Sequence, residues 1–200
     1  MRPPDFIGIG PSKTGTNTLC ACLQEHPQVG LVRHVKGTRF FDRFYDRGWD
    51  WYVRNFARCP PGTVVGEITE TYFQHPLVPE RIQRHLPGVK LITVLRNPVD
   101  RAFAEYLQLS RLGLMTGTFE EALAQHSNLT QDNFYFDHLS RYQRYFPPEQ
   151  ILVLLFDDLQ QDGAAFIRRV FEFLGVDANV TPVALQHSMN PSALPRLRII

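Results

Sequence analysis

The segment Asp5-Phe6-Ile7-Gly8-Ile9-Gly10 runs directly into Pro11-Ser12-Lys13-Thr14-Gly15-Thr16-Asn17-Thr18-Leu19. It reads as a short apolar strand, a tight glycine-containing turn that carries a lysine, and the opening of a helix. Backbone N–H groups at such a turn and in the first turn of a helix converge on one point. The helix dipole adds partial positive charge there, so the arrangement suits phosphate or sulfate. Gly10 and Gly15 keep the glycine spacing of G-x-x-x-x-G-K-[ST], yet Thr16 stands where that motif has its lysine, and Lys13 lies inside the loop. An ordinary ATPase or GTPase is disfavoured. For the loop taken alone, a plain strand-to-helix turn with a solvated lysine is the competing reading.

Outward from this loop, short apolar runs alternate with helical spacing, the pattern of a parallel sheet wrapped by helices. Strands are expected at Phe6 to Gly10, Thr63 to Glu67, Lys90 to Leu95 and Ile151 to Phe156, with a weaker one at Val29 to Val32. The runs Leu91-Ile92-Thr93-Val94-Leu95 and Ile151-Leu152-Val153-Leu154-Leu155-Phe156 are apolar on both faces, as in strands covered on both sides. Helices are expected at Pro76 to Leu86 and Pro98 to Leu112, each opening at a proline, and after a capping Asp162 through Phe166, Val170, Phe173 and Leu174. Residues Ala178 to Ile200 contain Pro182, Pro191 and Pro195 and read as an irregular tail. The fold class is α/β.

With 200 residues, 44% hydrophobic and 12% aromatic, the chain suits one well-buried domain. A formal charge of +1 supplies no global field for nucleic acid or an anionic membrane, so an anion site has to be local. Cys20, Cys22 and Cys59 are odd in number and suggest neither a disulfide framework nor a zinc site; they read as small apolar residues. No stretch has the form of a signal peptide or approaches the length of a membrane span, and a cytoplasmic setting is expected.

A second constellation follows the Lys90 to Leu95 strand: Arg96-Asn97-Pro98-Val99-Asp100-Arg101, then Ala102-Phe103-Ala104-Glu105-Tyr106 on a helix. Open α/β sheets bind ligands at the carboxyl ends of their strands, and a guanidinium at that edge can grip a phosphate through two parallel hydrogen bonds. An internal ion pair of Arg96 with Asp100 or Glu105 is the alternative.

Taken together, these segments resemble the sulfotransferases that use 3′-phosphoadenosine 5′-phosphosulfate (PAPS). Gly10-Pro11-Ser12-Lys13-Thr14-Gly15-Thr16 resembles that family's 5′-phosphosulfate loop, and Leu95-Arg96-Asn97-Pro98-Val99-Asp100-Arg101-Ala102-Phe103 resembles its 3′-phosphate segment. The likeness extends over Arg39-Phe40-Phe41-Asp42, Gly48-Trp49-Asp50-Trp51-Tyr52, Val65-Gly66-Glu67-Ile68-Thr69, and Phe156-Asp157-Asp158-Leu159 through Phe173-Leu174-Gly175-Val176-Asp177. It is greatest to the branch with the heparan sulfate sulfotransferase domains and their bacterial relatives. The resemblance implies a P-loop-like three-layer domain with a central parallel β-sheet flanked by helices. It implies PAPS as co-substrate, 3′,5′-bisphosphoadenosine (PAP) as product and no metal. It implies an acceptor that is a hydroxyl or amine of a carbohydrate or small molecule. Lys13 is then the cation at the leaving oxygen. Amides of Thr14, Gly15 and Thr16, with Asn17 and the hydroxyls of Thr16 and Thr18, hold the 5′-phosphosulfate, and Arg96 holds the 3′-phosphate.

The chain departs from the family pattern in several places. Gly37 stands where relatives carry a glutamate that acts as general base, and Ala104 stands where they carry a serine that bonds the 3′-phosphate. Glu67, in a structural or acceptor-orienting role, and His34 and Glu70, as substitute bases, are the candidates to compensate, and a glutamate restored at position 37 is expected to raise transfer. Relatives also continue past the point matching Asn190 to Arg196, so C-terminal helices are expected to be missing from a domain covering 1–200. A PAPS- or PAP-binding homologue with little transferase activity, and an ATP-using small-molecule kinase, are the alternative functions. Phe134, Tyr135, Phe136, Tyr142, Tyr145 and Phe146 are expected to pack in the core rather than to stack on an acceptor. Arg33, Lys36, Arg39 and Arg43 form either a basic cleft mouth or a solvated basic face.

Overall fold

The computed structural model describes residues 2–32 and 37–186. Five strands form the sheet: β1 (Phe6–Gly10), β2 (Val29–Leu31), β3 (Val64–Ile68), β4 (Lys90–Leu95) and β5 (Ile151–Leu155). They pair in the order β2-β3-β1-β4-β5, and each pairing is parallel. The helices that cover the sheet are α1 (Thr16–Glu25), α2 (Trp49–Arg54), α3 (Val78–His85), α4 (Pro98–Arg111), α5 (Phe119–Gln125), α6 (Asn128–Gln131), α7 (Tyr135–Gln143), α8 (Phe156–Gln161) and α9 (Gly163–Leu174).

Alternation along the strands builds two cores, one on each face, which makes the architecture three-layered. On β1, Ile7 and Ile9 join a cluster with Phe40, Tyr52, Phe73 and Leu91, whereas Phe6 joins Leu19, Ile92, Phe166 and Phe171 on the opposite face. Gly8 leaves room for the neighbouring strand's residue, since a Cβ there would stand 2.8 Å from Ile68 Cγ1. This is the P-loop-like α/β fold expected from the sequence, with β1 at the centre and its carboxyl end feeding the glycine loop.

The expected bounds of β1 and β4 match the structure. The run from Ile151 differs in two respects. It forms an edge strand whose Ile151 to Val153 are only half-buried and whose Leu155 is exposed, and Phe156 opens α8 instead of continuing the strand. Periodicity reports that a run is apolar, but the position of a strand in the sheet depends on pairings remote in sequence. The helix after Asp162 forms as expected: the Asp162 carboxylate accepts from Ala165 N–H at 2.9 Å and caps α9. The described part of the tail includes a 3-10 turn at Val183–Gln186 with Ala184 buried, tied back to α1 where Glu25 Oε2 accepts from Val183 N–H at 2.6 Å. Among the described residues no helix is long and apolar enough to cross a membrane.

Candidate active site

The loop between β1 and α1 is shaped by three residues with positive φ: Gly10 at 96°, Lys13 at 65° and Gly15 at 89°. Gly10 is required by space as well as by conformation, because a Cβ there would sit 2.3 Å from the Glu70 carbonyl oxygen. A Cβ at Gly15 would meet Leu159 Cδ2 at 2.8 Å and Phe156 Cδ2 at 3.1 Å. Lys13 has no such exemption, and a left-handed conformation costs a non-glycine residue about 1–2 kcal/mol. The buried Thr14 hydroxyl donates to the Pro11 carbonyl at 2.8 Å and closes the loop, so a ligand finds only the backbone amide of Thr14. Gly15, the N-cap of α1, has no side chain to cap the helix, and among the described residues no side-chain cap hydrogen bond is made there, which suits the first-turn amides to an anion.

The fold brings Arg96 to this loop. From the end of β4 its Nη1 donates to the Lys13 carbonyl at 3.1 Å, and the guanidinium lies 4.6 Å from the ring centroid of Phe156 at the start of α8. Arg96 Nε is buried and has no hydrogen-bond partner among the described residues. The alternative of an ion pair with Asp100 or Glu105 is not realised. Glu105 accepts instead from Ser12 Oγ at 2.9 Å, on the β4 side of the loop. A buried, unpaired guanidinium nitrogen beside a loop of open amides favours an anion. Phe156 and the Arg96-facing Tyr135, whose hydroxyl donates to the Arg96 carbonyl at 2.9 Å, complete this wall. No local pattern in the sequence marks either residue as part of the site.

On the other side of the loop the structure revises the acceptor residues. Glu67 is buried inside β3 and does not face the cleft. Its Oε2 accepts from Thr38 N–H at 2.6 Å and Thr69 Oγ1 at 2.9 Å, and its Oε1 accepts from Tyr52 at 2.8 Å and Tyr72 at 3.3 Å. Burial raises the Glu67 pKa above the ordinary carboxylate value, and these hydrogen bonds oppose that rise. These bonds tie the Thr38 segment and Thr69 to β3 and favour the structural over the acceptor-orienting role. Gly37 has φ 71°, and a Cβ there would stand 1.8 Å from Thr69 Oγ1 and 2.5 Å from the Ile68 carbonyl. A glutamate at 37 therefore meets backbone and a strained φ, which argues against the expected gain from restoring it.

Glu70 follows β3 and is half-buried, with Oε2 3.4 Å from Thr16 Oγ1. His34, Arg33 and Lys36 lie outside the described residues. Arg39 pairs with Asp42, Nη2 to Oδ2 at 2.9 Å, so it is not an unopposed cation; Arg43 lies over the Phe44 ring. Ala104 is buried on α4 and offers only a methyl group. Of the aromatic set, Tyr142 and Phe146 pack in the core as expected, whereas Phe134, Phe136 and Tyr145 are exposed. Burial pushes the Cys22 thiol up to about 12, which leaves it unreactive.

The chain is similar to proteins of known kind. The family model described as "Sulfotransferase domain" matches residues 3–191. Mouse heparan sulfate glucosamine 3-O-sulfotransferase 6 is 34% identical over 188 residues, covering 90% of this chain and 54% of its own length. Mouse bifunctional heparan sulfate N-deacetylase/N-sulfotransferase 3 is 31% identical, covering 88% of this chain and 22% of its own length. The chain thus spans about half, or less, of the curated relatives it matches. Among solved structures, a sulfotransferase from Alicyclobacillus acidocaldarius superposes with a TM-score of 0.82 at 28% identity, over 96% of this chain and 88% of that one. Mouse sulfotransferase SULT7A1, solved with PAP, shares the fold at a TM-score of 0.64 and 19% identity, over 93% of this chain and 62% of its own. A loop with its lysine displaced from the ATPase position, facing an arginine at the end of the adjacent strand, is thus accompanied by similarity over nearly the whole chain, and the protein belongs to the sulfotransferase domain family.

Proposed function

We propose that residues 1–200 act as one sulfotransferase domain that moves a sulfuryl group from PAPS to a hydroxyl or amine of a carbohydrate or small-molecule acceptor. The observation that carries this reading is Arg96, held against the Lys13 carbonyl with its Nε buried and unpaired. A nucleotide with phosphate at both its 3′ and 5′ positions offers one anion to the guanidinium and another to the loop. ATP has no 3′-phosphate for Arg96, and the absence of a lysine at position 16 further disfavours a kinase. Two relatives support both acceptor types, one being a 3-O-sulfotransferase and another an N-sulfotransferase of heparan sulfate. PAP in the SULT7A1 crystal supports the choice of nucleotide.

In this mechanism the acceptor oxygen or nitrogen attacks sulfur in line, and the bond from sulfur to the bridging oxygen breaks with its electron pair leaving on the 5′-phosphate. Alignment and stabilisation of that departing charge are the protein's main contributions. Lys13 neutralises the leaving oxygen, the amides of Thr14 to Thr16 with Asn17 and the hydroxyls of Thr16 and Thr18 hold the 5′ end, and Arg96 holds the 3′-phosphate. Nucleotide binding with little transfer is a second reading, favoured by the closed Gly37 position and by Ala104.

Arg96→Ala is expected to weaken PAP binding by about ten- to a hundredfold, the worth of hydrogen bonds to a charged group. Titration calorimetry of the wild type and the variant with PAP measures this. Equal affinities contradict the assignment of Arg96 to the 3′-phosphate.

A further inference from the structure

We infer that Glu70 is the general base of the acceptor side, taking the place of the side chain that position 37 cannot hold. The inference rests on the proposed transfer reaction and deepens it.

The topology separates the two sides of the loop. β3 and β4 flank β1, so the end of β4, with Arg96, lies on one side of the loop and the turn after β3 lies on the other. The nucleotide occupies the Arg96 side and contains the leaving oxygen, so in-line attack brings the acceptor from the β3 side. Among the described residues, Glu105 and Glu70 each accept a side-chain hydrogen bond from this loop and the first residue of α1. Glu105 accepts from Ser12 on the β4 side, and Glu70 lies against Thr16 on the β3 side. Glu67 is closed in the core by its four donors, and Gly37 is closed by Thr69.

Glu70 is also firmly placed. The turn that carries it is pinned to β1 by Thr69 N–H to the Gly8 carbonyl at 2.8 Å and Phe73 N–H to the Ile9 carbonyl at 2.9 Å. From the far side, Thr71 Oγ1 donates to Asp42 Oδ2 at 2.6 Å. The Glu70 backbone is itself the wall that makes Gly10 obligatory. Glu70 lines a small, mostly apolar depression together with Thr16, Cys20 and Ile68, beside the N-terminal end of α1.

In the step assigned to it, the acceptor O–H or N–H proton passes to a Glu70 carboxylate oxygen as the bond from acceptor to sulfur forms. The bond from sulfur to the bridging oxygen breaks at the same time, its electron pair leaves with PAP, and the proton on Glu70 then returns to solvent. Atoms and charge balance without a metal or a further reactant.

The test uses the full chain and Glu70→Gln, which keeps the shape and an acceptor for Thr16 but cannot take the proton. Release of PAP from labelled PAPS is followed with water, 2-naphthol and an N-sulfated heparosan oligosaccharide as probe acceptors, beside calorimetry with PAP. The expected result is a hundredfold or greater loss of turnover with unchanged KM for PAPS and undiminished PAP affinity, the range for loss of a general base. In Glu70→Ala, added formate is expected to restore part of the rate, which no structural role explains. Turnover within threefold of wild type in Glu70→Gln overturns the assignment, as does a parallel loss of PAP affinity without formate rescue. A wild type that binds PAP but consumes PAPS with none of the three acceptors also overturns it. A wild type that does not bind PAP instead overturns the donor-site reading on which it rests.

Discussion

Lys13→Ala is expected to lower sulfuryl transfer by about a thousandfold or more while changing PAP affinity by no more than about tenfold. Removing one preorganised group that stabilises developing charge costs about a hundred- to a thousandfold in rate, and a cation at a transferring group is worth more still. The binding effect is smaller because the loop's amides and Arg96 stay in place, and charge on the bridging oxygen develops only as the bond breaks. The backbone of Lys13 supports this: a left-handed conformation at a non-glycine position persists only where the surrounding loop imposes it. Single-turnover transfer of labelled sulfate, with calorimetry on the same variant, separates the two effects. A variant with wild-type turnover contradicts the role.

Glu67→Ala is expected to destabilise the fold by about 4 kcal/mol or more. The substitution leaves Thr38 N–H and the hydroxyls of Tyr52 and Thr69 without their acceptor in a buried site, and each stranded donor costs about 1–3 kcal/mol. Against a typical domain stability of about 5–15 kcal/mol this is a large share. Urea unfolding gives the loss from the shift in midpoint. Should the alanine variant not fold, Glu67→Gln, which keeps the volume and one carbonyl acceptor, is expected to fold with a smaller loss. A midpoint unchanged in both variants contradicts the anchoring role and reopens Glu67 as a cleft residue.

The proposed donor half of this site is legible as a candidate because it is written in contiguous sequence. Gly10 to Thr18 carries its own turn and helix signals, and Arg96 follows a strand bounded as the apolar run suggests. Their meeting was expected only through the family resemblance, because the order of strands is set by pairings across the sheet. The acceptor half was not legible. Glu67 and Glu70 are three residues apart with similar surroundings in sequence, yet one ends inside the core and the other at the loop, because strand alternation stops at Ile68 and the chain then turns. Gly37 read as a missing base; its positive φ and the Thr69 contact turn that gap into a steric requirement. A further local signal lies at the start of α5. Thr118-Phe119-Glu120-Glu121 is a capping box, with the Thr118 hydroxyl accepting from Glu121 N–H and the Glu121 carboxylate accepting from Thr118 N–H, and it starts α5.

The pairing of the loop with Arg96 implies a site for a nucleotide phosphorylated at both its 3′ and 5′ positions. Parallel calorimetric titrations of the wild-type chain with PAP and with ATP test it most directly. PAP is expected to bind at least tenfold more tightly than ATP. Tight binding of ATP together with weak or absent binding of PAP contradicts it.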